Sequence, residues 1–444
     1  MKILLVRPKL PMQDFKLYPP YSLVTLASYI DPSNDIQIVD YQAGQTLSDS
    51  NFTPDLVALT TFNSQLTETD KIAQEASKIW KNVKKVAGGA GVTSNSDYAS
   101  QILPNVDTLV AGDGEDFMVN LESMSHRTDR IIHCPRFDLG QHKRPLWNLI
   151  DYKRYVKTVG LAVETSRGCP FNCIWCTAHL VTGKKWRPRI PESVVEELSE
   201  LKERYNCCLF YFTDDNATVD PKRWERLMQL IIDARLNIEI QVPEGIQAHH
   251  LTYDALVLMK KAGFRMITIG AESGSQRVLD DVICKGGLKV EQIAYVVKTA
   301  REIGLEVNCF FVIGTVGETL DEAKETVEFA QKLRKLGAYS CMVRNAIPIQ
   351  GTRMFKIAKE KGYLTVSEDK MSDLKFLHSN QHFLKTPEWN PEDIMKLVEI
   401  ARKQDANHIL TDKKWHLVKQ GSKRLITSPR STFKRAWQIL KESI

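Results

Sequence analysis

Short apolar runs alternate with helix-period stretches through the first 125 residues. The runs are residues 2–6, 36–40, 56–60, 85–87 and 108–111; stretches such as 21–30 and 68–81 between them repeat apolar positions every three or four residues. Strands alternating with helices at this pitch predict a doubly wound parallel sheet over residues 1–125. Ligands of such sheets sit beyond the carboxyl ends of the strands. Those ends carry Arg7-Pro8, Thr60-Thr61-Phe62-Asn63, Gly88-Gly89-Ala90-Gly91 and Gly112-Asp113-Gly114-Glu115, which admit close backbone approach to a large polar ligand. Glycines at strand ends also make ordinary turns, so spacing leaves both readings open.

Periodicity fades over 126–158, which reads as a connector. Strand-like runs then recur at 159–163, 208–212, 238–242, 266–269, 307–313 and 339–343, with helical stretches at 192–205, 221–234, 253–262 and 290–303. Six repeats fall short of the eight of a closed barrel. A partial (β/α)6 barrel over 159–355 is therefore expected, open on one side, with its chemistry on the loops after the strands. Residues 356–444 read as a basic, mostly helical C-terminal region.

The chain has 444 residues, 43% of them hydrophobic, which is enough for two or three cores of ordinary size. No run approaches the ~18 apolar residues of a membrane span, and the start, Met-Lys-Ile-Leu-Leu-Val-Arg, reads as a first strand and not as a signal peptide. The nine cysteines are odd in number and irregularly spread, unlike a disulfide framework, so a reducing, cytoplasmic setting is expected. Cys207, Cys208, Cys284, Cys309 and Cys341 read as small buried hydrophobes, with a second cluster as the alternative.

Chemistry concentrates at Cys169-Pro-Phe-Asn-Cys173-Ile-Trp-Cys176. Three thiols spaced C-x3-C-x2-C can hold three corners of an iron–sulfur cubane and leave the fourth iron open to something that is not protein. Zinc or an electron-transfer cluster would want a fourth nearby ligand, and His179 is the one close candidate.

The loop Glu164-Thr-Ser-Arg-Gly-Cys169 through Cys176 resembles that of the radical S-adenosylmethionine (SAM) enzymes. The resemblance implies a [4Fe-4S] cluster on Cys169, Cys173 and Cys176, whose open iron chelates SAM and whose electron cleaves it to a 5'-deoxyadenosyl radical. It extends along the barrel. Asp214-Asp215-Asn216 is similar to a motif whose Asp214 and Asn216 meet SAM or substrate, although a helix cap before Pro221 is an equal reading. Glu272-Ser273-Gly274-Ser275 resembles the ribose-contact motif, and Lys285 the lysine that follows it, a solvated lysine being the alternative. Phe311-Val-Ile-Gly314-Thr-Val-Gly317-Glu318-Thr319 is similar to the element beside the adenine, and Pro348-Ile-Gln350-Gly351-Thr352 to a further family element, with Val316 and Gln350 standing where relatives carry proline. In Pro243-Glu-Gly-Ile-Gln247 relatives usually read Pro-Asn-Gly-Ile-Arg. Gln247 keeps hydrogen bonding toward SAM but loses the arginine charge; Lys185, Arg187 or Arg189 could supply it, the alternative being that this basic stretch entering a helix is simply solvated.

The N-terminal segments, Pro19 through Ile30, Pro54 through Thr60, Val86-Ala-Gly-Gly89 and Val110 through Glu115, resemble the cobalamin-binding domain that precedes many radical SAM enzymes. Thr61, Phe62, Asn63, Gly88, Gly89, Ala90, Gly112, Gly114 and Glu115 are then the expected cobalamin contacts. The histidine loop that ligates cobalt in other cobalamin proteins is missing, as it often is in this class.

These resemblances imply a cobalamin-dependent radical SAM methyltransferase that methylates an unactivated carbon through methylcobalamin. Its electron donor would be a flavodoxin or ferredoxin, and its substrate a small molecule, a lipid-like molecule or a peptide. A radical cyclase, rearrangement or oxidation enzyme with no methyl transfer, and a non-catalytic Fe–S or cofactor-binding protein, are the alternatives. Residues 401–444 hold eleven Lys/Arg against three Asp/Glu, and 431–444 read as a short amphipathic helix. Packing on the barrel, an anionic lipid surface, or RNA or acidic peptide would each fit this tail, but no nucleic-acid module accompanies it.

Overall fold

The computed structural model describes residues 1–9, 17–156, 159–368, 370 and 382–424, and side chains of the last helix as far as residue 409. The amphipathic helix expected at 431–444 lies outside the described residues.

Six parallel strands form the N-terminal sheet: β1 (Lys2–Arg7), β2 (Asp35–Asp40), β3 (Leu56–Thr60), β4 (Lys84–Gly88), β5 (Thr108–Ala111) and β6 (Ile131–His133), in the order β2-β1-β3-β4-β5-β6. Ile3 through Val6 are fully buried, because helices cover both faces of the sheet and each residue of the strand meets a core. The strand order reverses between β1 and β3, which opens the crevice where doubly wound sheets take ligands. The sheet outruns the sequence reading, since β6 lies in the stretch expected to be a connector.

A two-stranded antiparallel hairpin, β8 (Ser166–Arg167) with β9 (Arg187–Pro188), closes the cysteine loop at its base. The barrel strands are β7 (Leu161–Val163), β10 (Leu209–Phe212), β11 (Glu239–Gln241), β12 (Met266–Glu272), β13 (Glu306–Ile313) and β14 (Ser340–Asn345). They form two parallel sheets, β11-β10-β7 and β12-β13-β14, joined by bridges Ile240–Phe264 and Ile246–Ile269. This is the six-stranded open barrel that the spacing predicts. Helix ends follow local chemistry: the Asp220 side chain caps Lys222 and Arg223 N–H ahead of Pro221, and Thr319 forms a capping box with Glu322.

One hydrophobic core crosses the boundary between the halves, running from Leu23, Val24 and Phe117 through Trp147 to Val163 and Phe212, while the far face of the N-terminal sheet has its own core around Leu4, Val57 and Leu109. The sheet therefore meets the barrel through apolar packing and not through a solvated linker. Among the described residues no helix is long and apolar enough to cross a membrane.

Gly112 ends β5 at φ +110°, and a Cβ there would lie 2.2 Å from the Cys134 carbonyl oxygen. Gly112→Ala is expected to lose about 1–3 kcal/mol from backbone strain alone, read as a lower midpoint in urea unfolding.

Candidate functional site

The cysteine loop is held from several sides. Gly168 turns at φ +95°, Cys169 N–H donates to the Gly183 carbonyl at 3.1 Å, and Ile174 N–H donates to the Ile283 carbonyl at 3.1 Å. Phe171 packs against Gly286, where a Cβ would sit 2.4 Å from the ring. The three thiols are half-buried and influence one another's ionisation. Burial raises all three, Cys173 to about 11, and the Lys285 ammonium pulls each back. Buried thiols of this kind become thiolates when a metal replaces their protons. Among the described residues no three His, Cys, Asp or Glu converge as a mononuclear metal site would need. A cubane asks for something different, each thiolate on its own iron. The donor set fits a cluster with three protein ligands. The charges that bear on His179 are Lys184 and Arg353.

Beside Cys173, Lys285 Nζ lies 2.5 Å from Glu272 Oε1. Burial alone would lower the lysine pKa, but Glu272 and then Cys173 hold it above the ordinary range. Lys285 is therefore a buried cation and not a solvated side chain. Glu272 takes φ +64° at the end of β12, which turns its carboxylate across Gly270 to the lysine.

Asp214 is fully enclosed, accepting from Thr165 N–H at 3.0 Å, Thr165 Oγ1 at 2.7 Å and the Ser166 hydroxyl. Burial raises it to about 6 against the pull of these donors. Asp215 accepts from Gly168 N–H at 2.9 Å and Thr182 Oγ1 at 2.7 Å, clamping both ends of the cysteine loop. The helix-cap reading fails for both aspartates, because Asp220 caps the helix. Asn216 Oδ1 turns inward to Thr218 at 3.3 Å. Gln247 is buried with Oε1 lacking a partner, an acceptor awaiting a donor. The Ser273 hydroxyl pairs with Thr326 at 2.9 Å, and Gly314 N–H donates to Glu318 Oε2 at 2.6 Å. Arg187 and Arg189 are already committed, to Asp113 at 2.6 Å and to Glu197 at 2.6 Å, so neither is free for a SAM carboxylate; Lys185 is exposed.

Two cavities meet at the junction. The first, about 370 Å³, opens beyond the sheet's carboxyl ends, and Phe62, Gly88, Gly89, Ala90, Gly112, Gly114 and Glu115 line it. Thr61 lies underneath, hydrogen-bonded to Thr69 at 2.9 Å. The cavity's floor is apolar, with Leu5, Ala58, Val86 and Val110, and the buried Thr25 hydroxyl on its wall has no partner. A Cβ on Gly114 would press into Leu26 at 3.2 Å. An apolar floor with an unpaired hydroxyl on its wall is compatible with the cobalamin that the sequence resemblance implies. The second cavity, about 620 Å³, lies at the barrel mouth and takes in Asn63, Cys176, Asp214, Asp215, Glu244 and Gln350. Both volumes fall in the ~300–1,000 Å³ range of ligand pockets. The cavities share Phe62, Ala90, Val181 and Thr213 as a common wall.

An ion-pair cluster locks the junction. Asp113 faces Arg187 at 2.6 Å, Arg136 at 3.2 Å and Arg167 at 3.3 Å, and Arg167 also reaches Glu115 at 2.8 Å and Glu164 at 2.8 Å. Arg167, Asp215 and Glu244 had no assigned role in the sequence reading. Arg167 and Asp215 do sit inside motifs it singled out, and Glu244 stood there only as a departure. Of the remaining cysteines, Cys207, Cys309 and Cys341 are buried as expected, whereas Cys208 is exposed and Cys284 half-exposed.

Glu318, buried under Trp389, is raised to about 8 by burial, which outweighs the Thr315 and Gly314 N–H donors. A carboxyl whose folded pKa exceeds its unfolded value stabilises the fold at low pH and loses that contribution as pH rises toward 8. Glu318→Gln should therefore flatten the decline of thermal stability between pH 5 and 8, measured by melting across that range; an unchanged slope would count against this assignment.

Residues 163–330 match the family model described as the radical SAM superfamily. The chain is 31% identical over 435 residues to an uncharacterized methyltransferase of Pyrococcus horikoshii, covering 90% of this chain and 91% of that one. It is 28% identical over 271 residues to the cytidylyl-2-hydroxyethylphosphonate methyltransferase of Streptomyces wedmorensis, covering 57% of this chain and 49% of that one. In fold it resembles TsrM of Kitasatospora setae, a radical SAM methyltransferase solved with cobalamin and a [4Fe-4S] cluster, at TM-score 0.67 and 18% identity over 83% of this chain and 79% of that one. It also resembles OxsB, a cobalamin-dependent radical SAM enzyme, at TM-score 0.67 and 16% identity over 99% of this chain and 75% of that one.

Proposed function

The chain belongs to the radical SAM superfamily, and from that premise we propose that it is a cobalamin-dependent C-methyltransferase acting on an unactivated carbon. The observation that carries the reading is the shared wall: the slot beyond the N-terminal sheet and the cavity holding Cys176 abut at Phe62, Ala90, Val181 and Thr213. When bound, the cluster supplies an electron and an open iron for SAM, and cobalamin supplies a methyl carrier.

Cys169, Cys173 and Cys176 would hold the cluster, and Asp215 keeps their loop closed through Gly168 and Thr182. Glu272, oriented by Lys285, offers a carboxylate to the ribose hydroxyls or amino group of SAM, and Gln247 offers a further acceptor. Gly88, Gly89, Ala90, Gly112 and Gly114 leave room for cobalamin, with Phe62 on the side facing the barrel. The apolar parts of both cavities exclude water from a radical intermediate. A flavodoxin- or ferredoxin-type donor in the cytoplasm suits a chain whose nine cysteines are all free.

Anaerobically reconstituted protein given SAM, reductant and cobalamin is expected to form both S-adenosylhomocysteine and 5'-deoxyadenosine. Formation of 5'-deoxyadenosine alone would remove methyl transfer and leave a radical SAM enzyme of another reaction type.

A further inference from the structure

The turn at 314–319 leaves β13 at the carboxyl end of the barrel, the end that carries the cysteine loop. It bends on two left-handed glycines, Gly314 at φ +77° and Gly317 at φ +92°, and folds around the fully buried Glu318, whose Oε2 accepts Gly314 N–H at 2.6 Å and Thr315 N–H at 3.0 Å. Two more polar atoms of the turn, Glu318 Oε1 and Thr315 Oγ1, are buried without a partner among the described residues. Glycines add backbone freedom and unmet polar atoms cost stability, so the turn does not hold itself.

What holds it comes from far along the chain. Trp389, 71 residues beyond Glu318, donates its indole N–H to the Glu318 carbonyl at 3.0 Å. His382 covers the other end: its Nδ1 accepts the Leu384 N–H at 3.1 Å, which leaves the ring proton on Nε2, and a Cβ at Gly314 would lie 2.2 Å from that nitrogen. The two rings are buried and meet edge to face, centroids 4.9 Å apart. The segment is itself anchored, Thr365 N–H donating to the Phe383 carbonyl at 3.0 Å and Lys385 N–H to the Tyr363 carbonyl at 2.9 Å. Residues 382–389 thus form a strap across the turn.

SAM runs from amino acid through ribose to base. The cysteine loop takes the first and Glu272 faces the second, and Glu272 pairs in register with Phe311 of β13, so the base continues toward the turn that β13 leads into. We infer that His382 and Trp389 are positioning residues for the adenosine end of SAM, acting through the 314–319 turn. The inference rests on the SAM site of the proposed function and not on methyl transfer. It makes adenosine affinity depend on a contact supplied by the C-terminal part of the chain.

The test uses the full-length protein with its reconstituted cluster and three probes: SAM, 5'-methylthioadenosine, which keeps the adenosine end, and L-methionine, which keeps the amino-acid end. Affinities are read by anaerobic equilibrium dialysis. Trp389→Phe keeps a ring and drops one N–H; it is expected to weaken SAM and 5'-methylthioadenosine about fivefold each, the scale of one hydrogen bond, with methionine affinity and iron content at wild-type values. His382→Ala should act in the same direction. Asp405→Asn is the control, since Asp405 seats the last helix on β14, accepting Cys341 N–H at 2.7 Å and the Ser340 hydroxyl at 2.6 Å, without touching the turn; it should leave the ratio of adenosine to methionine affinity unchanged. Unchanged adenosine affinity in both strap variants, a uniform loss across the three probes, or an equal shift in Asp405→Asn would each overturn the inference. S-adenosylhomocysteine formation by the same wild-type samples reports separately on the function, so a protein that meets these expectations yet forms only 5'-deoxyadenosine would lose methyl transfer and keep the strap.

Discussion

Replacement of any one of Cys169, Cys173 and Cys176 by alanine is expected to reduce 5'-deoxyadenosine formation to that of a protein-free blank. With three thiolates the cluster presents one open iron; with two it has lost an anchoring bond and is no longer held as a cubane. The thiols are half-buried with the Lys285 ammonium beside them as a fixed cation, and among the described residues no group of three His, Cys, Asp or Glu offers another metal site. Iron and sulfide should fall together in each variant, and the broad visible absorption of the cluster should vanish. Cys208→Ala serves as the control, because this exposed thiol lies away from the loop and should retain wild-type iron. A triad variant that keeps its iron and still cleaves SAM, or a wild type that purifies with one zinc per chain, would defeat the assignment.

Asp113→Ala should be the most destabilising single change at the junction. Its carboxylate is 4% exposed and faces Arg136, Arg167 and Arg187 while accepting the Phe137 N–H at 2.9 Å. Removal leaves three guanidiniums around an empty space, and breaking a buried pair in this way costs about 3–5 kcal/mol. Burial pushes the Asp113 pKa up, but Arg167 and Arg187 with the Phe137 N–H more than reverse it, so the net direction is downward. A carboxyl depressed in the fold stabilises it above its unfolded pKa near 3.9 and loses that contribution as the pH falls below it. Wild type and Asp113→Ala should accordingly differ by several kcal/mol in urea at pH 7 and converge toward pH 3. Asp113→Asn, which keeps the shape and loses the charge, should fall between them. A pH-independent difference would mean that packing, and not charge, does the work.

Much of the fold was legible because hydrophobic periodicity is local. The runs at 56–60 and 108–111 coincide with β3 and β5. Elements too short to show a period were missed: β6 is three residues, and β8 and β9 are two each, paired only because the cysteine loop folds back between them. The cysteine motif was legible because three thiols fall within eight residues. Partners distant in sequence were not. Arg187 and Arg189 read as solvated side chains or spare charges for SAM, yet Arg187 is consumed by Asp113, 74 residues away, and Arg189 by the buried Glu197. Lys285 read equally well as solvated, since nothing in Cys284-Lys-Gly says that Glu272 turns back to meet it.

The arginine knot at Asp113 also sets how the two halves behave during turnover. Separating them would expose shared apolar core and strand several charges at once, so a cost of only 3 kcal/mol already leaves an opened form below about one molecule in a hundred. A swinging carrier arm has no room in such a scheme. The reach from the slot beyond the sheet to the mouth of the barrel is a constant of the molecule, and traffic through turnover falls to the small molecules that come and go around it.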